Sequence, residues 1–354
     1  MRPFTLTALS QLDTLGFDEV IDVRAPAEYA EDHLPGAVNL PVLDDAERAR
    51  VGTTYTRESR FLARRMGAAL VARNAARHLE GYLADKPARY RPLVYCWRGG
   101  MRSGSLALIL GQIGWQAGVL EGGWRSWRRL VVRQLYETPF PAPLWLLDGN
   151  TGTAKTALLA LAARAGVQVI DLEALANHRG SLFGLAPGQA QPGQKRFEGA
   201  LATAIARLDP SRPVLIEAES NRIGALRLPP MLWQAMQAAP RLVIEAPLAA
   251  RGQWLTGTYS DLISEGVALG ERLQALAPYH PRTRIAEWRA LAESGEFSAL
   301  AEALMAEHYD PRYRRSRSRD SRAPAAILHG DSLDPAALER LCRAIIEQIE
   351  TPPA

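Results

Sequence analysis

Two short segments of this chain gather residue types that do chemistry. The first is Tyr95-Cys96-Trp97-Arg98-Gly99-Gly100-Met101-Arg102-Ser103. It follows the apolar run Pro-Leu-Val-Tyr and precedes an apolar stretch of helical period, so the spacing predicts a strand, a glycine turn and a helix. A cysteine at such a turn has its sulfur in a ring of backbone N–H groups at a helix N-terminus, where negative charge is favoured. Cys96 is the expected nucleophile. Arg98 and Arg102 are expected to lower its pKa and, with Gly99 and Gly100, to hold an anionic group of the phosphate or thiosulfate type. The spacing from Cys96 to Arg102 is also that of the cysteine phosphatases, which need a general acid, and Asp22 or Asp32 could serve. On these residues both chemistries stay open.

The second segment is Gly149-Asn150-Thr151-Gly152-Thr153-Ala154-Lys155-Thr156, between the apolar run Leu-Trp-Leu-Leu and an apolar helical stretch. A phosphate loop of the form G-x-x-x-x-G-K-[ST] wraps phosphates in backbone N–H groups while its lysine reaches them. Gly149, Gly152, Lys155 and Thr156 are therefore expected to bind phosphate, with the Thr156 hydroxyl placed for Mg²⁺ if a metal is used. Ala154 stands where the pattern has glycine, which is tolerable if that residue has helical dihedrals. Asp171, Glu217 and Glu219 each follow an apolar strand-like run and are candidates for acid–base or metal-side roles. His178 could shuttle a proton. For these four, capping or solvated roles remain open.

The elements that must position these loops can be read around them. Residues 1–135 alternate short apolar runs with helical stretches, one of them Ser59–Ala84, as a parallel α/β domain does. Three prolines mark a linker at 136–143. A second α/β pattern fills 144–354, with a mainly helical segment from about 248 to 305 and a last strand and helix near the end. Of 354 residues 47% are hydrophobic and 23% charged, a globular composition. No apolar run approaches the roughly 20 residues of a membrane span, and the start lacks a secretory pattern, so a cytoplasmic enzyme without membrane partners is expected. There are two cysteines. Cys342, in a helical apolar pattern, reads as a small buried hydrophobe. Nearly all the positive charge is arginine, the only lysines being Lys86, Lys155 and Lys195. That bias suits a phosphate-rich partner, and a high-GC genome would produce it equally well.

The first half resembles the rhodanese domains, through Asp22-Val23-Arg24, Glu28-Tyr29, His33-Leu34-Pro35-Gly36-Ala37-Val38-Asn39, the cysteine loop and Leu120-Glu121-Gly122-Gly123-Trp124. Those domains carry sulfur or selenium on the loop cysteine, and the resemblance tips the balance away from a phosphatase. Almost the whole chain is similar to one family, the bacterial tRNA 2-selenouridine synthases. The similarity runs through Glu47-Arg48, the phosphate loop, Asp171-Leu172-Glu173, Ala176-Asn177-His178-Arg179-Gly180-Ser181 and Phe183-Gly184. It continues through Gln191-Pro192, Phe197-Glu198, Glu217-Ala218-Glu219-Ser220, Arg222-Ile223-Gly224 and Tyr309-Asp310-Pro311.

The resemblance implies a transferase acting on the wobble uridine of tRNA. It would move a geranyl group from geranyl diphosphate to the sulfur of 2-thiouridine, then exchange S-geranyl for selenium from selenophosphate. Cys96 would handle selenium, Arg98 and Arg102 would hold selenophosphate, and no cofactor would be tightly bound. The tRNA is expected on arginine-bearing surface, with Arg312, Arg314, Arg315 and Arg317 the local candidates and a solvated basic loop the alternative. A generic sulfurtransferase fused to a P-loop nucleotidase or kinase, and an RNA-presenting scaffold, are the competing readings.

Overall fold

The protein is described as a computed structural model covering residues 2–98, 100–179, 190–260, 266–317 and 322–350, with only the backbone given at 266–268 and 316–317. Its internal contacts divide it into two compact units: Met1–Thr138 with Pro192–Arg207, and Pro139–Gln191 with Leu208–Ala354. The boundary at Thr138 falls inside the proline-rich stretch read as a linker.

The first unit is built on β1 (Arg2–Phe4), β2 (Glu19–Asp22), β3 (Val38–Asn39), β4 (Pro92–Tyr95) and β5 (Gly118–Leu120), all parallel, in the order β1-β5-β4-β2-β3. Every residue of central β4 is buried, as expected for a strand covered on both faces. The helix expected at Ser59–Ala84 runs Arg60–Glu80, and Ser59 caps it by accepting a hydrogen bond from the Leu62 N–H. The preceding helix Asp45–Arg57 starts in a capping box between Asp44 and Glu47. Glu47 also accepts from Asn74 Nδ2 at 2.7 Å, so this family position holds the domain together.

One helix departs from the sequence reading, which gave 144–354 to a single domain. Gln194–Ala206 packs with the first unit. Trp127, fully buried, lies against Gly199 so closely that a Cβ there would meet its ring at 2.6 Å. Arg128 and Tyr136 both bond Glu198, and Lys195 bonds Glu31 at 2.5 Å. Burial would raise the Glu198 pKa, but Tyr136, Arg128 and Gln194 outweigh it and hold the carboxyl below its ordinary value.

The second unit is built on β6 (Leu144–Gly149), β7 (Gln168–Ile170), β8 (Val214–Glu217), β11 (Arg241–Glu245) and β12 (Ala326–His329), parallel in the order β12-β11-β6-β8-β7. Strands β9 (Arg222–Ile223) and β10 (Leu226–Arg227) form a small antiparallel hairpin. Leu158, Leu159 and Ala162 of the helix after β6 pack with Leu338, Leu341, Cys342 and Ile345 of the final helix Pro335–Glu350. Cys342 is thus the buried hydrophobe expected, and burial raises its pKa. The segment read as helical holds Leu248–Thr258, Gly266–Gln274, Arg282–Glu293 and Phe297–Leu304. It continues through a π-helical turn, Met305–Tyr309, into the helix Asp310–Arg317, so the basic segment is helical as far as Arg317. Among the described residues no helix is long and apolar enough to cross a membrane.

Candidate functional site

In the first unit, β4 delivers Cys96 to the start of the helix Met101–Gln112. The residue is 4% exposed. Its Sγ accepts hydrogen bonds from the Gly100 N–H at 3.3 Å and from the buried Ser103 hydroxyl at 3.3 Å. Burial by itself would raise the thiol pKa. The Ser103 hydroxyl and the N–H groups of Ser103, Arg98 and Gly100 outweigh it and hold the thiol below its ordinary value.

That result corrects the expected role of the arginines. Arg102 donates to Glu28 at 2.7 and 3.3 Å, so its guanidinium is committed before any anion arrives. Arg98 is exposed and contributes its backbone N–H to the sulfur. Fixed dipoles, rather than arginine charge, stabilise the thiolate. Gly99 lies outside the described residues. Ser103 is the residue that sequence reasoning undervalued, although a hydroxyl one helical turn into a cysteine loop was a readable signal. Ser103→Ala should raise the pH midpoint of Cys96 alkylation by roughly 0.5–1 unit, since a hydrogen bond to a charged group disappears. An unmoved midpoint in a rate–pH profile would show the hydroxyl to be packing alone.

Beneath the loop, Arg24 is 1% exposed and paired with fully buried Asp22 at 2.7 Å. Its NH2 also donates to the Asp32 carbonyl at 2.5 Å, and its guanidinium lies 5.3 Å from the Trp124 ring centroid. Asp22 is therefore a buttress and is not available as a phosphatase acid. Asp32, desolvated by burial, is pushed up to about 6 despite the Trp124 Nε1 bond at 3.1 Å.

In the second unit, the phosphate loop sits at the carboxyl end of central β6, the crevice where parallel sheets bind ligands. Gly152 has φ 83° and its Cβ position lies 3.1 Å from the Arg251 carbonyl, so glycine is required there. Ala154 does not meet the condition under which alanine is tolerable there: its φ is 58° and ψ 27°, the left-handed region in which an alanine is strained and a glycine is not. Lys155 Nζ donates to the Gly149 carbonyl at 2.8 Å and, more loosely, to that of Asn150 at 3.5 Å. Burial disfavours its charge, yet Tyr313, Glu217, Glu219 and Glu173 outweigh this and keep the pKa raised.

Those glutamates form a cluster beside the loop. Ligand atoms of Glu173, Glu217 and Glu219 lie within 4.8 Å of one another. Thr156 Oγ1 donates to Glu217 Oε1 at 2.8 Å, while Glu217 Oε2 is buried without a partner. Burial, then mutual repulsion, raises Glu173 to about 9; burial raises Glu217 to about 7. Three hard oxygen donors, one unsatisfied, fit a divalent cation beside the loop. Glu217 and Glu219 were expected here; Glu173, set two residues past Asp171, was not. Asp171 caps the helix Leu172–Leu175 through the Ala174 N–H at 2.8 Å. His178 follows that helix with its pKa lowered by burial. Gly180, Ser181, Phe183 and Gly184 lie outside the described residues. Gln191 explains two further family positions, since it bonds the Ile223 carbonyl and the Ala225 N–H across Gly224.

The basic helix meets the same loop. Arg251, 4% exposed, donates Nε to the Thr151 carbonyl at 2.9 Å and both terminal nitrogens to Asp310 at 2.7 and 2.9 Å. Lys155 Nζ lies 5.8 Å from the Tyr313 ring. Arg312 bonds His308, Arg314 and Arg315 are exposed, and the Arg317 side chain lies outside the described residues. Asp310→Ala leaves Arg251 buried and uncompensated, so it should destabilise the second unit by about 2–4 kcal/mol, discounted for Asp310's partial exposure. Equilibrium urea unfolding checks this; a change below about 0.5 kcal/mol would mean the clamp is ornamental.

A cysteine loop of the rhodanese type on one parallel sheet and a phosphate loop on another define a two-domain α/β group-transfer enzyme. Family models agree: residues 6–130 match "Rhodanese-like domain" and 142–282 match "tRNA 2-selenouridine synthase AAA domain". A tRNA 2-selenouridine synthase of Chromohalobacter salexigens is 36% identical over 83% of this chain and 87% of its own length. One of Alcanivorax borkumensis is 32% identical over 90% and 94%. This chain belongs to the tRNA 2-selenouridine synthase family.

Proposed function

We propose that the protein installs selenium at the wobble 2-thiouridine of tRNA in two stages and works in the cytoplasm. The first stage transfers a geranyl group from geranyl diphosphate to the thiocarbonyl sulfur, with diphosphate leaving. The phosphate loop and Lys155 stabilise that departing charge. The site fits a divalent cation, which would be held by Glu173, Glu217 and Glu219 beside Thr156 and would neutralise phosphate charge. S-alkylation makes the sulfur a good leaving group, so the selenium of selenophosphate can add at C2 as the geranyl thiolate departs, and water then takes the phosphoryl group from selenium as phosphate. Cys96 handles the selenium, and the donor ring around its sulfur, with Arg98 at the rim, favours the anionic donor.

The observation that carries the reading is the Cys96 thiol, held below its ordinary pKa by fixed donors in a chain of this family. It is tested by expressing the protein in a bacterial strain that makes selenophosphate but lacks selenouridine, then analysing tRNA nucleosides by mass spectrometry. Selenouridine should return with the wild-type chain. Its absence, with the protein folded and abundant, would refute the assignment.

A further inference from the structure

On the first unit, the helix Gly123–Val132 and the π-helical turn after it carry Arg125, Arg129 and Arg133, four residues apart along one ridge. All three are exposed. Among the described residues the Arg125 and Arg129 guanidiniums have no ion pair or hydrogen-bond partner, and that of Arg133 gives only a 3.3 Å bond to the Thr7 carbonyl. Arg128, between them, is spent on Glu198 and the Lys195 carbonyl. At 1.5 Å rise per residue the ridge repeats every ~6 Å, comparable to the spacing of successive phosphates on one RNA strand. Free guanidiniums at that repeat are matched to phosphate oxygens.

The ridge borders a groove of about 810 Å³ whose lining includes Leu6, Trp124 and Leu130. Two carboxylates share the lining: Glu121, occupied by the Thr5 hydroxyl, and Glu137 at the far end. The near end adjoins the cysteine loop directly. The Trp124 N–H donates to the Cys96 carbonyl at 2.8 Å and the Arg125 N–H to the Trp97 carbonyl at 3.1 Å.

We infer that Arg125, Arg129 and Arg133 form a phosphate track that holds the tRNA backbone on the first unit and leads a strand to Cys96. This deepens the proposed function and rests on it. The sequence reading had sought the tRNA at the basic helix of the second unit. The track adds a contact surface beside the selenium chemistry itself, on a ridge where the Arg125 and Arg129 guanidiniums carry no ion pair among the described residues.

The test is fluorescence-anisotropy titration of full-length protein with a labelled 2-thiouridine tRNA over a salt series. Arg125→Gln/Arg129→Gln should weaken binding about 10-fold or more near 0.1 M salt and flatten the log–log salt slope by roughly two. Arg125→Lys/Arg129→Lys should keep the wild-type slope, because charge is retained. Arg289→Gln, an exposed arginine of the second unit, should change little. Iodoacetamide labelling of Cys96 at the wild-type rate certifies the fold of the glutamine variant. An unchanged affinity and slope in that variant, or an equal loss in Arg289→Gln, would overturn the track while wild-type binding and selenation still stand. A wild-type chain that neither binds nor modifies tRNA would instead remove the functional reading beneath it.

Discussion

Cys96→Ser should abolish selenium incorporation while S-geranylation of 2-thiouridine tRNA continues at close to the wild-type rate. A serine at this turn keeps the loop geometry but has no acidic thiol for the Ser103 hydroxyl and backbone N–H groups to stabilise. The expected loss is about 10³-fold or more, equivalent to about 4 kcal/mol of transition-state stabilisation. The geranyl stage draws on Lys155 and the phosphate loop, in a separate compact unit with its own sheet. The variant should therefore accumulate the S-geranyl nucleoside, readable in digested tRNA by mass spectrometry. Equal loss of both stages in a folded variant would mean that the cysteine serves the alkylation as well.

Lys155→Met should have the complementary effect. The lysine bonds across the phosphate loop from within it, reaching the Gly149 and Asn150 carbonyls. Losing a buried charge-assisted contact to the diphosphate is worth about 3 kcal/mol, or roughly 10²-fold in kcat/KM for geranyl diphosphate. Selenation of tRNA that is already S-geranylated should be nearly untouched. Lys155→Arg should not rescue, because a planar guanidinium does not reproduce the compact ammonium that bonds the Gly149 and Asn150 carbonyls. A variant that geranylates normally but cannot use selenophosphate would assign the loop to the other donor.

Both loops were legible because each is a contiguous run of about eight residues flanked by apolar strand and helix patterns, and local chemistry alone shapes them. The central strands were legible for the same reason: Pro-Leu-Val-Tyr and Leu-Trp-Leu-Leu are buried on both faces and read as unbroken apolar runs. What the sequence hid depends on distant pairing. Glu28 takes Arg102 from 74 positions away, which removes the expected anion ligand. Asp310 takes Arg251 across 59 positions, turning the Tyr-Asp-Pro motif into a brace for the phosphate loop. The helix Gln194–Ala206 reads like any other helix of the second half, and the fit of Trp127 over Gly199 with the Arg128 and Tyr136 bonds to Glu198 shows where it packs. Backbone dihedrals were equally hidden, so the strain at Ala154 could be neither expected nor excluded from an alanine in a glycine's place.

The most direct measurement is nucleoside mass spectrometry on a defined 2-thiouridine tRNA incubated with purified protein and geranyl diphosphate, with and without selenophosphate. An S-geranyl-2-thiouridine peak that converts to 2-selenouridine only when selenophosphate is added is the predicted result. Unaltered tRNA, with both donors verified and the protein folded, would contradict the account and favour a sulfurtransferase joined to a P-loop nucleotidase.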